Sequence, residues 1–223
     1  MENSGTLADK QSATLADKQT GWRKLLQPAV LDRIEQGLIV VLWAFLVRRV
    51  YVSENPFAPL LLLAETAVLI FVLIRRPTND ISRDSGDWML AVTATAAPLL
   101  VMPVANPSPQ FVLIGVALVL LGNIFQLWAK LFLRRSFGIA PANRGVKVEG
   151  PYRFVRHPMY AGYLAVNIGI MILMPSLFNL MVYAIAWSAQ ILRLKAEERL
   201  LSEDQAYREF KEKVRWRLVP GVF

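Results

Sequence analysis

Six long apolar runs constrain the fold of this chain more than any other feature of its sequence. They cover residues 34–51, 57–74, 88–104, 111–133, 159–174 and 177–192. A helix needs about 20 predominantly apolar residues to span the hydrocarbon core of a bilayer, and 55% of the chain is hydrophobic. The pattern therefore predicts an all-α integral membrane protein with about six membrane helices.

The last two apolar runs are the shortest relative to a bilayer. Each contains about 16 residues, and only Pro175 and Ser176 separate them. This spacing predicts a short helical hairpin, because no room is left for a longer connection. Whether the hairpin crosses the bilayer completely stays open at this point.

The distribution of positive charge predicts the orientation. Of the 25 Lys and Arg residues, all except Arg48 and Arg49 lie in segments that six crossings would place on the side of the termini. Cytoplasmic loops carry the excess of Lys and Arg in membrane proteins. We therefore expect cytoplasmic N- and C-termini and a multi-pass protein, in the plasma (inner) membrane if the protein is bacterial.

The runs also divide the chain into three parts. Residues 1–21 contain a polar tandem octad, at 4–11 and 12–19, and are expected to form a disordered tail. Residues 22–109 hold an interfacial segment and the first three helices. Residues 110–223 form the remaining membrane core, a cytoplasmic helix and an aromatic ending at 207–223 that we expect to fold back.

Composition excludes several kinds of site and partner. The chain has no cysteine and one histidine, whereas protein-built zinc and di-iron sites take several such ligands. We therefore expect no metal. The formal net charge of +8 follows the pattern of a membrane protein, which favours lipid head groups over nucleic acid as the anionic partner.

The single histidine lies in the motif at 150–162, Gly-Pro-Tyr-Arg-Phe-Val-Arg-His-Pro-Met-Tyr-Ala-Gly. Proline suits the first turn of a helix, so His157 is predicted as the N-cap and Pro158 as the first helical residue. Free amides there, beside Arg156, could bind a small anionic group. A basic turn at the membrane surface, with no ligand, explains the same residues equally well.

Polar residues inside the apolar runs have two readings as well. Glu65 lies near the middle of the second run, where packing through a protonated or hydrogen-bonded carboxyl is favoured over chemistry. Asn123, Gln126 and Lys130 follow helical spacing in the fourth run. They could join helices through hydrogen bonds or line a cavity.

Beyond the sixth run the chain carries two adjacent carboxylates, Glu197 and Glu198. Helical spacing places Gln190, Arg193 and Glu197 on one face. From the residues alone, Arg193 with Glu197 is an ordinary ion pair between residues four apart on a solvated helix.

Together these pieces resemble the isoprenylcysteine carboxyl methyltransferase family and the related phospholipid methyltransferases. The resemblance rests on Val-Glu-Gly-Pro-Tyr-Arg-Phe-Val-Arg-His-Pro-Met-Tyr-Ala-Gly at 148–162, on Glu197 and Glu198, and on the aromatic, proline-containing ending. It covers roughly residues 110–223. Residues 1–105 carry no motif of the family.

The resemblance implies an integral membrane methyltransferase that uses S-adenosyl-L-methionine and a lipid or lipophilic small-molecule acceptor. It implies that the cofactor is bound by Gly150, Tyr152, Arg156, His157, Tyr160, Gly162, Glu197 and Glu198. A carboxylate acceptor needs no general base, whereas an amine or thiol must lose a proton. His157 and Tyr160 are the expected catalytic residues, although a glutamate could also take that proton.

Two other functions fit parts of the same pattern. A membrane reductase of the sterol reductase type would use NADPH, and the basic loop between Arg134 and Arg156 could bind its 2′-phosphate. A non-catalytic membrane scaffold would retain the fold without the chemistry. The motif and the paired glutamates favour the methyltransferase, and the sequence gives no oligomeric state.

Overall fold

The computed structural model describes residues 28–74, 84–103, 107–133 and 146–223. In these ranges the chain forms seven α-helices and no strand, which confirms the all-α prediction. The predicted tail at 1–21 lies outside the described residues, as does most of the basic loop that follows residue 133. The helices are α1 Pro28–Tyr51, α2 Leu60–Ile74, α3 Ser85–Ala96, α4 Pro109–Leu133, α5 Pro158–Leu173, α6 Leu177–Leu201 and α7 Gln205–Lys213.

Each predicted apolar run overlaps one of the first six helices, but the helices differ in whether their length and composition allow them to cross a bilayer. Among the described residues, α4 and α6 are both long and apolar enough. At 1.5 Å per residue, the 15 residues of α2 extend only about 22 Å. Six crossings, cytoplasmic termini and the three-part domain division stay predictions.

Local sequence explains the boundaries of α5 and α6. Helix α5 begins at Pro158 with His157 in the N-cap position, as predicted, although the imidazole makes no capping hydrogen bond. The helix ends at Leu173 before Pro175, and Ser176 caps α6 by accepting a hydrogen bond from the Asn179 backbone N–H at 3.1 Å. The tight turn between the two helices is therefore confirmed. Helix α6 is longer than its apolar run because it continues to Leu201.

Glycines bring α4 and α5 into close contact, the most extensive helix contact in the described part of the chain. A Cβ added to Gly162 would lie 2.9 Å from the Gly122 carbonyl oxygen, and one added to Gly169 would lie 2.7 Å from that of Gly115. Small residues at such spacings allow membrane helices to approach backbone to backbone. The pair α4–α5 is thus fixed in register along its length.

Helix α6 packs on α3 rather than along α5. Arg199 at its C-terminal end donates through Nη2 to both carboxylate oxygens of Asp87 at 3.0 Å. At its N-terminal end the fully buried Asn179 accepts from the backbone N–H of Met102 and donates to the carbonyls of Met102 and Met174, each at 2.9 Å. Because α5 and α6 diverge after their turn, a cavity opens between them.

Candidate active site

The Glu198 carboxylate connects the motif before α5 to the end of α6. Its Oε1 lies 3.2 Å from His157 Nε2 and 3.3 Å from Arg156 Nε, and its Oε2 accepts a hydrogen bond from Arg217 Nε at 2.9 Å. Glu198, Arg156 and His157 are all buried. The carboxylate favours the imidazole tautomer that carries its proton on Nε2, since that N–H can donate to it.

The C-terminal segment folds back onto the motif, as the sequence predicted. The backbone N–H of Arg156 donates to the Trp216 carbonyl, and that of His157 donates to the Arg217 carbonyl, both at 2.9 Å. Arg217 then reaches Glu198 with its side chain. Two backbone hydrogen bonds and one ion pair therefore hold the segment over the start of α5.

Glu197 has different contacts from its neighbour. It is half-buried, and its Oε2 accepts a hydrogen bond from the Tyr160 hydroxyl at 2.8 Å. The Arg193 guanidinium lies over the Tyr160 ring, 5.5 Å from the centroid, and attracts the charges of Glu197 and of Glu35 on α1. The ordinary ion pair suggested by spacing is therefore part of a larger buried network that reaches a third helix.

The structure places the two predicted glycines against α4. Gly150 has a φ of 60° and begins a 3-10 turn at Gly150–Arg153, and a Cβ at this position would lie 2.7 Å from the Phe132 ring. Gly162 faces Gly122 and Gln126, as described above. Both glycines thus have packing roles that set the position of the motif, and their predicted contact with a cofactor stays a prediction.

Four buried polar atoms have no hydrogen-bond partner among the described residues: the hydroxyls of Tyr152 and Tyr207, Arg156 Nε and Gln190 Oε1. Burial raises the pKa of the Tyr152 hydroxyl, and the Glu197 charge raises it further. Burial likewise raises the pKa of Tyr207, with added contributions from Glu198 and Glu197. Both phenols are therefore protonated donors. Buried donors in this state are stabilised by a ligand that accepts their hydrogen bonds.

The polar stripe predicted on the fourth run forms a chain of hydrogen bonds along α4. Lys130 Nζ donates to Gln126 Oε1 at 2.7 Å, and Gln126 Nε2 donates to Asn123 Oδ1 at 2.9 Å. The ammonium also lies 5.0 Å from the centroid of the Tyr163 ring and attracts the Glu65 carboxylate. These hydrogen bonds of Asn123 and Gln126 lie within α4, whereas the sequence suggested bonds between helices or a cavity-lining role.

Glu65 itself lines the cavity between α5 and α6. The space between the helices measures about 590 Å³ when its opening to the outside is included, and the part that water-sized molecules can occupy measures about 50 Å³. It is lined by Glu65, Val68, Ala94, Thr95, Pro98, Tyr163, Val166, Asn167, Ala186, Trp187, Gln190 and Arg193. Because Arg193 also contacts Tyr160, this cavity adjoins the group around Glu197.

The sequence assigned no role in the site to four residues of this arrangement: Glu35, Arg193, Tyr207 and Arg217. The spacing of Arg193 and Glu197 was recognised but interpreted as a solvated pair. Tyr207 and Arg217 lie in the segment predicted to fold back, so their region was recognised without their roles. Nothing in the local sequence around Glu35 connects it to residues more than 150 positions away.

A match to one protein family supports the resemblance. Residues 111–208, a little under half of the chain, match the family described as phospholipid methyltransferase. A solved structure of the eukaryotic intramembrane Ras methyltransferase, isoprenylcysteine carboxyl methyltransferase, is 16% identical, with a TM-score of 0.46 over 95% of this chain and 86% of that chain. No curated protein matches significantly. The family match agrees with the resemblance over residues 111–208.

Proposed function

Since residues 111–208 carry the pattern of a membrane methyltransferase family, we propose that this protein transfers a methyl group from S-adenosylmethionine to a lipophilic acceptor that it reaches within the membrane. The observation that carries the proposal is the pair of buried, unpartnered hydroxyls of Tyr152 and Tyr207 beside the motif. They lie on two separate parts of the chain, the 3-10 turn and α7. A ligand with several hydrogen-bonding groups would satisfy them together.

The residues present fit the chemical groups of this cofactor. S-adenosylmethionine has a carboxylate, an ammonium, a ribose diol and a sulfonium. The Tyr152 and Tyr207 hydroxyls would donate to carboxylate or ribose oxygens. Glu197 would accept from the ammonium or from ribose hydroxyls through lone pairs that Tyr160 does not use. When bound, the sulfonium supplies an activated methyl group.

The two glutamates then have separate roles. Glu198 holds Arg156, His157 and Arg217 in place, because both of its oxygens are engaged by these three side chains. Glu197 has the more accessible carboxylate of the pair and accepts one hydrogen bond, from Tyr160. We therefore assign cofactor binding to Glu197 and positioning to Glu198. Aligning the acceptor with the methyl group and excluding water are the main tasks left to such a site.

Binding of S-adenosylhomocysteine to the purified full chain in detergent, measured by calorimetry, tests this function. Tyr152→Phe and Tyr207→Phe each remove one unpartnered hydroxyl and leave the ring in place, so the fold should be retained. We expect each variant to weaken binding about fivefold to tenfold, the value of one hydrogen bond. Tyr51→Phe is the matched control, since Tyr51 is 88% exposed at the end of α1.

A parallel titration with NADPH separates the rival functions. Saturable binding of S-adenosylhomocysteine that weakens in both phenylalanine variants, with no binding of NADPH, supports the methyltransferase. Binding of NADPH alone would instead indicate a reductase. Binding of neither compound would leave a membrane scaffold as the better explanation of the fold.

A further inference from the structure

Residues 217–223 close on themselves in a small loop after α7. Three consecutive backbone N–H groups, those of residues 217–219, donate to the Phe223 backbone oxygen at 2.8–3.1 Å. In return the Val219 carbonyl accepts from the backbone N–H groups of Val222 and Phe223, each at 3.1 Å. Five backbone hydrogen bonds therefore fix the shape of this loop.

A residue in the left-handed region makes this closure possible. Gly221 has a φ of 83°, which glycine adopts at little cost and other residues adopt only with strain. A Cβ added to Gly221 would have no neighbour within 4 Å. An alanine at this position would therefore strain the closed loop without creating a steric clash.

The closed loop determines where the Arg217 guanidinium lies. Its Cζ is 5.1 Å from the centroid of the Phe223 ring, and its Nε donates to Glu198 Oε2 at 2.9 Å. An aromatic face attracts a cation, so the ring and the carboxylate both hold this side chain. The Arg217 backbone is held as well, because its carbonyl accepts from the His157 N–H. Phe223 is thus connected through Arg217 to the carboxylate that contacts His157.

We propose that Phe223 is a positioning residue for the proposed cofactor site and that it acts through Arg217 on Glu198. Its backbone oxygen closes the loop, and its ring stabilises the guanidinium that engages Glu198. Glu198 in turn keeps the start of α5 in place. This inference rests on the proposed function and adds to it a residue outside residues 111–208, the part of the chain that matches the family.

Binding of S-adenosylhomocysteine to the purified full chain, measured by calorimetry, tests the contact between ring and guanidinium. Phe223→Leu keeps an apolar side chain but removes the aromatic face, and it should weaken binding about threefold to fivefold. Phe223→Tyr keeps that face, and it should restore binding to within about 1.5-fold of the wild type. Phe45→Leu is the matched control, because the Arg49 guanidinium lies 5.7 Å from the centroid of the Phe45 ring on α1. It should leave the affinity unchanged.

A double variant separates positioning through Arg217 from general packing. Arg217→Gln removes the charge that the ring attracts, and it should weaken binding by up to about fivefold, since the ion pair with Glu198 is partly exposed. In the Arg217→Gln background, Phe223→Leu should cause no further loss, because the effects of two residues that act through one contact do not add. A residue that only stabilised the fold would lower Tm and leave the affinity unchanged in both backgrounds.

A backbone variant keeps the proposal testable if the Phe223 variants fail to fold. Gly221→Ala adds one methyl group in open space and retains Phe223, so it perturbs only the closure of the loop. We expect it to weaken S-adenosylhomocysteine binding at least about threefold. Gly37→Ala, which also adds a methyl group in open space but lies within α1, should leave the affinity unchanged.

The outcomes separate this inference from the function on which it rests. Unchanged affinity in Phe223→Leu and Gly221→Ala, or an equal further loss in the Arg217→Gln background, would overturn the positioning role while wild-type binding upheld the methyltransferase. A loss in Phe223→Tyr as large as that in Phe223→Leu would also overturn it, because the aromatic face would then have no role. If S-adenosylhomocysteine fails to bind the wild type, the proposed function fails, and the positioning role built on it fails with it.

Discussion

Removing the Glu198 carboxylate should destabilise the protein more than any other single truncation in the candidate site. Glu198→Ala would leave Arg156 buried without its counter-charge, since both side chains are 6% exposed. Breaking a buried ion pair in this way costs about 3–5 kcal/mol. The Arg217 side chain is 33% exposed, so its ion pair adds at most about 1 kcal/mol. For a chain of this length the total corresponds to a fall in Tm of roughly 6–24 °C.

Thermal unfolding of the purified protein in detergent measures this effect. Glu198→Gln retains one of the two accepting oxygens and loses the charge, so its Tm should lie between those of the wild type and Glu198→Ala. Glu203→Ala truncates an exposed glutamate just after α6 and should leave Tm within about 2 °C of the wild type. If Glu198→Ala has the same Tm as the Glu203→Ala control, the carboxylate does not hold the motif to α6, and the positioning role assigned to Glu198 is wrong.

Three further substitutions test other contacts by the same thermal unfolding measurement. Gly162→Ala should lower the free energy of unfolding by about 1–3 kcal/mol, because its Cβ would meet the α4 backbone. Gly37 has open space around it, so Gly37→Ala should be neutral or stabilising by up to about 1 kcal/mol. Equal effects of the two substitutions would contradict the close packing of α4 and α5. Asn179→Leu should lower the free energy of unfolding by about 2–4 kcal/mol, because it leaves buried backbone groups unsatisfied. It should not change the affinity for S-adenosylhomocysteine. A change in that affinity would show that this end of α6 is coupled to the site. Tyr160→Phe should lower the free energy of unfolding by about 1 kcal/mol and weaken S-adenosylhomocysteine binding about fivefold, because Glu197 loses the donor that orients it. An unchanged affinity would contradict the assignment of Glu197 to the cofactor site.

Features set by neighbouring residues could be predicted from the sequence. Pro158 cannot donate a backbone hydrogen bond, so the start of α5 is readable from one residue. Pro175 and Ser176 fix the following turn by the same kind of local rule, and Ser176 supplies the N-cap of α6. The apolar runs located six helices because hydrophobic periodicity and length are local properties. Their crossing of a membrane depends on an environment that the runs alone do not define.

Contacts between distant residues could not be predicted in the same way. Glu35 and Arg193 approach each other only because α1 and α6 are brought together by the helices between them. The role of Gly162 shows the same limit. Its position in the motif was recognised, but the contact that explains its small size is made with Gly122 on α4, and nothing in the spacing of the motif identifies that partner.

The paired glutamates show most clearly where sequence reasoning stops. Adjacent residues on a helix point about 100° apart. Helical spacing therefore predicts that the two glutamates face different surroundings. Which glutamate faced which surroundings depended on where the C-terminal segment folded back. Arg217 reaches Glu198 from that segment, while Tyr160 reaches Glu197 from α5. One carboxylate is therefore occupied by the protein itself and the other retains lone pairs for a ligand, although the sequence presents them as equivalent.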